Sequence, residues 1–369
     1  MKVLFMSNIP SPYRLDFFNE FGKYCELTVS FEGKKATDRD EKWVGDNNIY
    51  YTAIYLKGKR TKSDQFFCPG IISLIKQKYN YIIVGNYSSM TSMYAIEYMR
   101  IHKIPFLIEA DGGLVSKESN FKYKIKRHFI SSATAWLSSG NATTEYFLHY
   151  GAKKEKVYNY PFTSLREEDI LKKTPTVEEK NAAKKKLGMR ETEKIVLSVG
   201  RFSYMNGYGK GFDILMKAMK RCSSKYALYI VGDTPTQEFV DMKKKMGLDN
   251  VHFIEFKTKQ ELKDYYLAAD LLCLQTRGDV WGLVINEGMA MGLPIITTDC
   301  CVAGLELVEI GKNGYIVSVE DEIELSDKIN LILSDDLLRS KFAENSLNKI
   351  QQYTIENMAK RHIVCLSIS

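Results

Sequence analysis

Residues 274–298 read LQTRGDVWGLVINEGMAMGLPIITT. They continue an apolar run, DLLCL at residues 270–274, pass through a loop with Gly278 and Gly282, and break at Gly292-Leu293-Pro294 before another apolar run. The pattern is strand, loop, helix, strand. Asp279 falls in the loop, and Glu287 stands about one and a half helical turns beyond Gly282. In open α/β sheets ligands collect at the carboxyl ends of the strands, and a helix start offers unpaired N–H groups and a positive dipole end to an anion. The stretch is expected to hold a phosphorylated ligand at Gly282-Leu283 and a polyol at Glu287.

Outward from this unit the alternation continues. Before it, strands are expected at residues 194–199, 227–231 and 251–256, with helices at 211–221, 237–246 and 260–268. After it come a strand at 314–317 and helices at 322–333, 336–352 and 354–366. Toward the N-terminus, apolar runs at 3–6, 27–31, 50–56, 81–84, 106–108 and 135–137 alternate with helical patterns at 15–21, 70–79, 92–102 and 141–150. Strands alternating with helices imply parallel sheets wrapped by helices. The first strand is not followed by GxGxxG, so a dinucleotide fingerprint is absent there. Residues 166–194, REEDILKKTPTVEEKNAAKKKLGMRETEK, offer few core positions beyond Ile170, Leu171 and Leu187. They are read as a linker with an exposed helix stopped by Gly188. The expectation is an α/β chain of two Rossmann-like domains facing each other across a cleft, with boundaries 1–165, 166–190 (linker), 191–352 and 353–369. The last piece is a helix returning to the first domain.

The 369 residues exceed what one core organises, and 45% hydrophobic content supplies two. A net charge of +7 is mild for a nucleic-acid binder but favours an anionic substrate or membrane surface. The seven cysteines are odd in number and scattered without CxxC, as in a reducing, cytoplasmic setting. The opening MKVLFMSNIPSPYR is a strand and a Pro-rich turn rather than a signal peptide, and no apolar run is long enough to span a membrane. The five histidines show no metal-ligand spacing, and Asp38-Arg39-Asp40 is read as a solvated turn. Metal: none is the expectation. No GxSxG elbow or P-loop supports a hydrolase or kinase.

The second domain's first strand ends in Val199-Gly200-Arg201, and the next helix opens on Gly209-Lys210-Gly211-Phe212. Arg201 and Lys210 thus flank one βα loop at the same sheet edge as Asp279 and Glu287, a pairing suited to a diphosphate. The alternative is a solvated loop carrying ordinary surface charge.

The ordered combination of VGR and GKGFD, Val231-Gly232-Asp233, YYLAADLLCL, and D-x7-E within DVWGLVINEGMAMGLPII resembles glycosyltransferase family 4, retaining enzymes of the GT-B fold that use nucleotide sugars. The likeness covers most of the second domain; SNIPSPYRLDFF and the final helix extend it more weakly into the first. It implies that Arg201 and Lys210 hold the donor diphosphate, with Gly200 at the strand end. The N–H groups around Trp281, Gly282 and Leu283 would add hydrogen bonds, Glu287 would accept the ribose hydroxyls, and Asp279 would meet the transferred sugar. Two departures stand out. Asp279 replaces the family's usual Glu, and the loop 201–210 is longer than usual, so that Lys210 is expected to be ordered by the ligand.

In the first domain, expected to bind the acceptor, many relatives place a His after the strand at 106–108; here Glu109-Ala110-Asp111-Gly112-Gly113 stands instead. Asp111 is expected to reach a sugar or acceptor hydroxyl, with Glu109 beside it and Gly112-Gly113 leaving room for a ligand; alternatively Asp111 caps the next helix or turn. Ser11, Tyr13 and Arg14 either line the same cleft or belong to an ordinary turn stiffened by Pro10 and Pro12. Residues 117–128, KESNFKYKIKRH, are either an anionic-membrane contact or a solvated amphipathic helix.

The resemblance implies a metal-independent hexosyltransferase acting on a UDP-sugar and a saccharide acceptor, lipid-linked, in surface polysaccharide biosynthesis. It would need no cofactor, the nucleotide sugar being a co-substrate, and no nucleic-acid partner. It would work in the cytoplasm or on the inner membrane face. The competing readings are a GT-B nucleotide-sugar epimerase and a non-catalytic nucleotide-sugar-binding protein.

Overall fold

Strand-forming runs rich in Val, Ile, Leu and Phe build two parallel sheets, each buried on both faces, which is why their residues are apolar continuously rather than alternately. The computed structural model describes residues 1–35, 49–62 and 64–368; Asp38-Arg39-Asp40 lies outside them. The chain forms two compact units, Met1–Arg166 with Tyr353–Ser369, and Glu167–Gln352.

Unit 1 contains β1 (Lys2–Ser7), β2 (Glu26–Phe31), β3 (Thr52–Tyr55), a short hairpin of β4 (Lys59–Arg60) and β5 (Phe66–Phe67), then β6 (Tyr81–Val84), β7 (Leu107–Ala110), β8 (Ala135–Ser138) and β9 (Val157–Asn159). Its seven-stranded sheet runs β3-β2-β1-β6-β7-β8-β9, every pairing parallel. Unit 2 contains β10 (Lys194–Val199), β11 (Tyr226–Val231), β12 (Val251–Ile254), β13 (Leu271–Leu274), β14 (Ile295–Thr298) and β15 (Gly314–Val317). Its sheet runs β12-β11-β10-β13-β14-β15. This is the doubly wound order, in which the chain reverses direction across the sheet beside the first strand. Each unit is therefore Rossmann-like. The hairpin β4–β5, the edge strand β9 and a helix at Val302–Leu307 are additions to the sequence reading, all too short for a periodicity to show.

The polar stretch after residue 166 differs from a free linker. The helix Val177–Lys186 starts in a capping box, Thr176 and Glu179 each bonding the other's backbone N–H. It packs on the helix Lys259–Ala268 and buries Ala183 and Lys184. The Lys184 ammonium donates to the Glu193 carbonyl at 2.7 Å and lies 3.6 Å from Asp270. Its inward face consists of an alanine and lysine stems, which cover apolar surface without reading as apolar residues.

The C-terminal helix Ile355–Ile368 belongs to unit 1 and packs against the helix Pro12–Phe21. His362 on its inner face is fully buried among Phe17, Phe21 and Tyr160.

Candidate functional site

In unit 2 the reversal point lies between β10 and β13, and the loops leaving these two strands carry the residues singled out from sequence. Lys210 and Asp279 come together, with Nζ 2.5 Å from Oδ2 and each side chain about one-fifth exposed (17% and 20%). Asp279 is fixed from behind by its backbone: its N–H donates to the Cys300 carbonyl at 3.0 Å and its carbonyl accepts from Val302 N–H. Lys210 also lies over the Tyr204 ring, 5.6 Å from its centroid, and its aliphatic stem flanks Gly200.

The helix Leu283–Ala290 begins at Gly282, whose φ of 101° only glycine adopts without strain. A side chain there would also strike Cys301 Sγ, 2.7 Å from its first carbon. Trp281 is buried and its Nε1–H donates to Asn286 Oδ1 at 2.8 Å, anchoring the turn. Burial and the nearby Asp279 charge push the Cys301 thiol up to about 12, so it stays a neutral packing group. Leu283 opens the helix. Glu287, one turn on, accepts from the buried Tyr266 hydroxyl at 2.7 Å, and burial followed by the Glu287 charge raises that hydroxyl's pKa well above its ordinary value.

The loop 201–210, longer than usual for the family it resembles, is held by a set of hydrogen bonds. Asp233, at the end of β11, accepts from the N–H groups of Phe202 and Ser203. Thr276 Oγ1 and the Arg277 N–H both donate to the Gly209 carbonyl, at 3.1 and 3.0 Å. Arg277 grips Asp213 with two parallel bonds of 2.7 and 2.9 Å and also bonds Glu320 and the Tyr208 carbonyl. Those hydrogen bonds, Asp213's first, raise its pKa further. Sequence reasoning assigned no role to Asp233, Asp213, Thr276, Arg277 or Tyr266. The available signals were an acid directly after a strand and a lone arginine within the deciding stretch. Arg201 is half-buried at the exit of β10.

In unit 1 the residues proposed for the acceptor side also meet, but mostly inside the protein. Arg14 is 5% exposed. Its Nη1 donates to Glu109 Oε1 at 2.6 Å, its Nη2 bonds Asp111, and the rings of Phe5, Tyr13, Phe17 and Phe162 surround it. Arg14 is thus the counter-ion of two carboxylates, not a cation offered to a ligand. Glu109, 1% exposed, accepts from Tyr160 at 3.2 Å and pairs with His362 Nε2 at 3.0 Å, so its oxygens are taken by the interior. Ser11 is likewise buried, at the start of the Pro12–Phe21 helix, with Pro12 in its first turn.

Asp111 differs. Its side chain keeps 24% exposure while accepting from Arg14 and from Tyr13 Oη at 3.3 Å. It does not cap the following helix Asn120–Ile130, whose N-cap is Ser119. Burial pushes the Asp111 carboxyl up to about 6, Arg14 opposing and Glu109 adding to the rise. Burial would also raise Glu109, but Arg14 and His362 overcome it and hold it at about 2. Gly113 packs closely on unit 1's interior: a side chain there would lie 2.7 Å from the Tyr146 ring. The basic segment forms the helix Asn120–Ile130 with Phe121 75% exposed and Lys122 and Lys124 beside it in solvent.

Among the described residues no group of three or more His, Cys, Asp or Glu side chains is placed to hold a metal ion, and no helix is long and apolar enough to cross a membrane.

Two Rossmann-like units, one of them with a cation–carboxylate pair and a helix start at its reversal point, define an α/β protein. Residues 179–349 match the family of glycosyl transferases group 1. The lipopolysaccharide glucosyltransferase WaaG of Escherichia coli K12 is 23% identical over 246 residues, 63% of this chain and 65% of its own. An uncharacterized glycosyltransferase of Haemophilus influenzae is 31% identical over 181 residues, 47% of this chain and 49% of its own. The chain thus spans between about half and two-thirds of the length of these relatives. Among solved structures, Anabaena Alr3699/HepE in complex with UDP superposes with a TM-score of 0.80 at 18% identity over 100% of both chains. The same protein has been solved with UDP-glucose. The fold is that of GT-B structures.

Proposed function

We propose that the protein is a metal-independent, retaining glycosyltransferase. It moves a hexose or N-acetylhexosamine from a UDP-sugar to a hydroxyl of a lipid-linked saccharide in surface polysaccharide biosynthesis. The observation that carries this reading is the Lys210–Asp279 pair, held beside the Gly282 helix start at the reversal point of the unit 2 sheet. The group 1 match over that unit, the lipopolysaccharide glucosyltransferase among the relatives and UDP and UDP-glucose in the structural neighbour support it.

In the proposed reaction Arg201, Lys210 and the N–H groups at Gly282-Leu283 face the donor diphosphate. As the bond to the anomeric carbon breaks, charge grows on the leaving phosphate. These fixed donors favour that state more than the ground state, each worth about 2.7–4 kcal/mol when well placed. A phosphate oxygen of the donor takes the acceptor proton, so no protein base is required on the donor side. Glu287, steadied by Tyr266, receives the ribose hydroxyls, Asp279 receives the sugar, and Asp111 receives an acceptor hydroxyl. The exposed Phe121 with its neighbouring lysines rests on the anionic inner face of the cell membrane, where a cytoplasmic enzyme meets a lipid-linked substrate.

The test is a thermal-shift panel of UDP, GDP, ADP and their sugars, followed by incubation of the stabilising nucleotide sugar with and without lipid-linked saccharides. A true donor raises Tm by mass action, and nucleotide release should require the acceptor. Release without an acceptor points to an epimerase, binding without release to a non-catalytic protein, and no nucleotide-dependent stabilisation sinks the donor-site reading.

A further inference from the structure

The Lys210–Asp279 contact sets a problem for any anionic ligand, because the cation that should attract a diphosphate already has a carboxylate on it at 2.5 Å. The main chain of Asp279 is bonded on both sides to the 300–302 stretch, so the carboxylate stays anchored beside the lysine and moves only by side-chain rotation. The Gly209 carbonyl is pinned by Thr276 and Arg277, which fixes the backbone from which the Lys210 side chain reaches. An anion that bonds the Lys210 ammonium, at an ordinary distance of about 2.8 Å, must therefore sit within a few ångströms of the Asp279 oxygens.

The charge on the anion then matters. The outer phosphate of a nucleotide sugar is a diester with one negative charge. The corresponding phosphate of a free nucleoside diphosphate is a monoester carrying about −1.5 to −2 at neutral pH. A fixed carboxylate repels the second more than the first. The sugar also brings hydroxyl donors that replace the lysine hydrogen bond Asp279 gives up, whereas the bare diphosphate brings none and leaves the carboxylate poorly paired.

Resting on the proposed donor site, we infer that Asp279 is a specificity-determining residue that makes the site favour the sugar-bearing diphosphate over the free nucleoside diphosphate. Recognition of the incoming donor and ejection of the spent nucleotide become one property of one carboxylate. The side chain is partly exposed and its loop is held through backbone groups, so the isosteric Asp279→Asn variant is expected to fold.

Calorimetric titration of UDP and UDP-glucose into the wild type and Asp279→Asn at pH 7.5, with circular dichroism as a folding control, tests the inference. The variant should bind UDP about fivefold or more tightly than the wild type, the factor that corresponds to losing an ion pair of about 1 kcal/mol, and should bind UDP-glucose no more tightly. The wild type alone supplies a second measurement. Its preference for UDP-glucose over UDP should shrink between pH 7.5 and 5.5, as the free monoester protonates near its second pKa of about 6. An unchanged UDP-to-UDP-glucose affinity ratio in the variant, or a wild-type preference that does not fall at pH 5.5, overturns the role given to Asp279 while leaving the donor site standing. If the wild type binds neither probe, nor GDP, ADP or their glucose conjugates, the donor-site reading fails and this inference with it.

Discussion

Each unit places a cation against carboxylates near the carboxyl edge of its sheet, and the two arrangements differ in burial. In unit 1 Arg14 is sealed between Glu109 and Asp111 under aromatic rings, with His362 and Tyr160 completing the hydrogen bonds of Glu109. In unit 2 Lys210 and Asp279 form a single pair in partial contact with solvent. A buried charge must be fully compensated to be tolerated, so the first arrangement is locked. A partly exposed pair is weak and can exchange partners, so the second is suited to meet a ligand. The contrast separates charge that holds the fold from charge available for chemistry.

The largest effect expected from breaking this contrast is on stability. Arg14→Met should destabilise the protein by about 3–5 kcal/mol, because it strands two carboxylates inside unit 1; chemical denaturation measures it. Lys210→Ala should show the reverse profile, lowering kcat by about 10²–10³-fold while costing less than about 1 kcal/mol of stability. A variant with near-normal turnover and poor stability would erase the distinction. His362→Phe should cost about 1–3 kcal/mol through the partner that Glu109 loses. The pH response sharpens the comparison further. Asp111, with its folded pKa raised to about 6, binds its proton more tightly folded than unfolded, so lowering pH from about 6 toward 4 stabilises through this group. Glu109, held at about 2, contributes stability that is complete above its unfolded value of about 4.3 and is lost as pH falls from there toward 2. Acid unfolding should set in only below about pH 4. If Asp111 acts ionised on the acceptor, turnover should already fall through pH 6, and Asp111→Asn should remove that limb. The smallest effect belongs to Phe121→Ala, which should leave Tm unchanged and reduce cosedimentation with anionic vesicles.

The fold was legible because long β-forming runs alternate with helical periods, and the reading at residues 194–199, 237–246 and 314–317 coincides with the observed elements. The deciding stretch showed which loop would carry Asp279 and which helix Glu287. What stayed hidden was partnership. Nothing in the spacing of Arg14 and Glu109, or of Arg277 and Asp213, reveals that a sheet edge will bring them into contact. Arg14 therefore read as lining a cleft or belonging to an ordinary turn, and the loop 201–210 as flexible. The helix Val177–Lys186 read as exposed because its inward face is made of lysine stems and alanine rather than large apolar residues.

The return of the chain to unit 1 has a consequence for how the protein is made. Residues 167–352 are contiguous, whereas unit 1 includes the helix Ile355–Ile368 from beyond them. During synthesis the earlier segment emerges first but must wait, with Phe17 and Phe21 lacking His362 and Glu109 lacking its imidazole partner, until the helix Ile355–Ile368 has been made. Unit 2, begun later, has all its own sequence first. Translation thus supplies the whole of unit 2 before the rest of the unit it interrupts, and a nascent chain stalled before residue 355 would expose an apolar seam along the Pro12–Phe21 helix, a natural target for a chaperone.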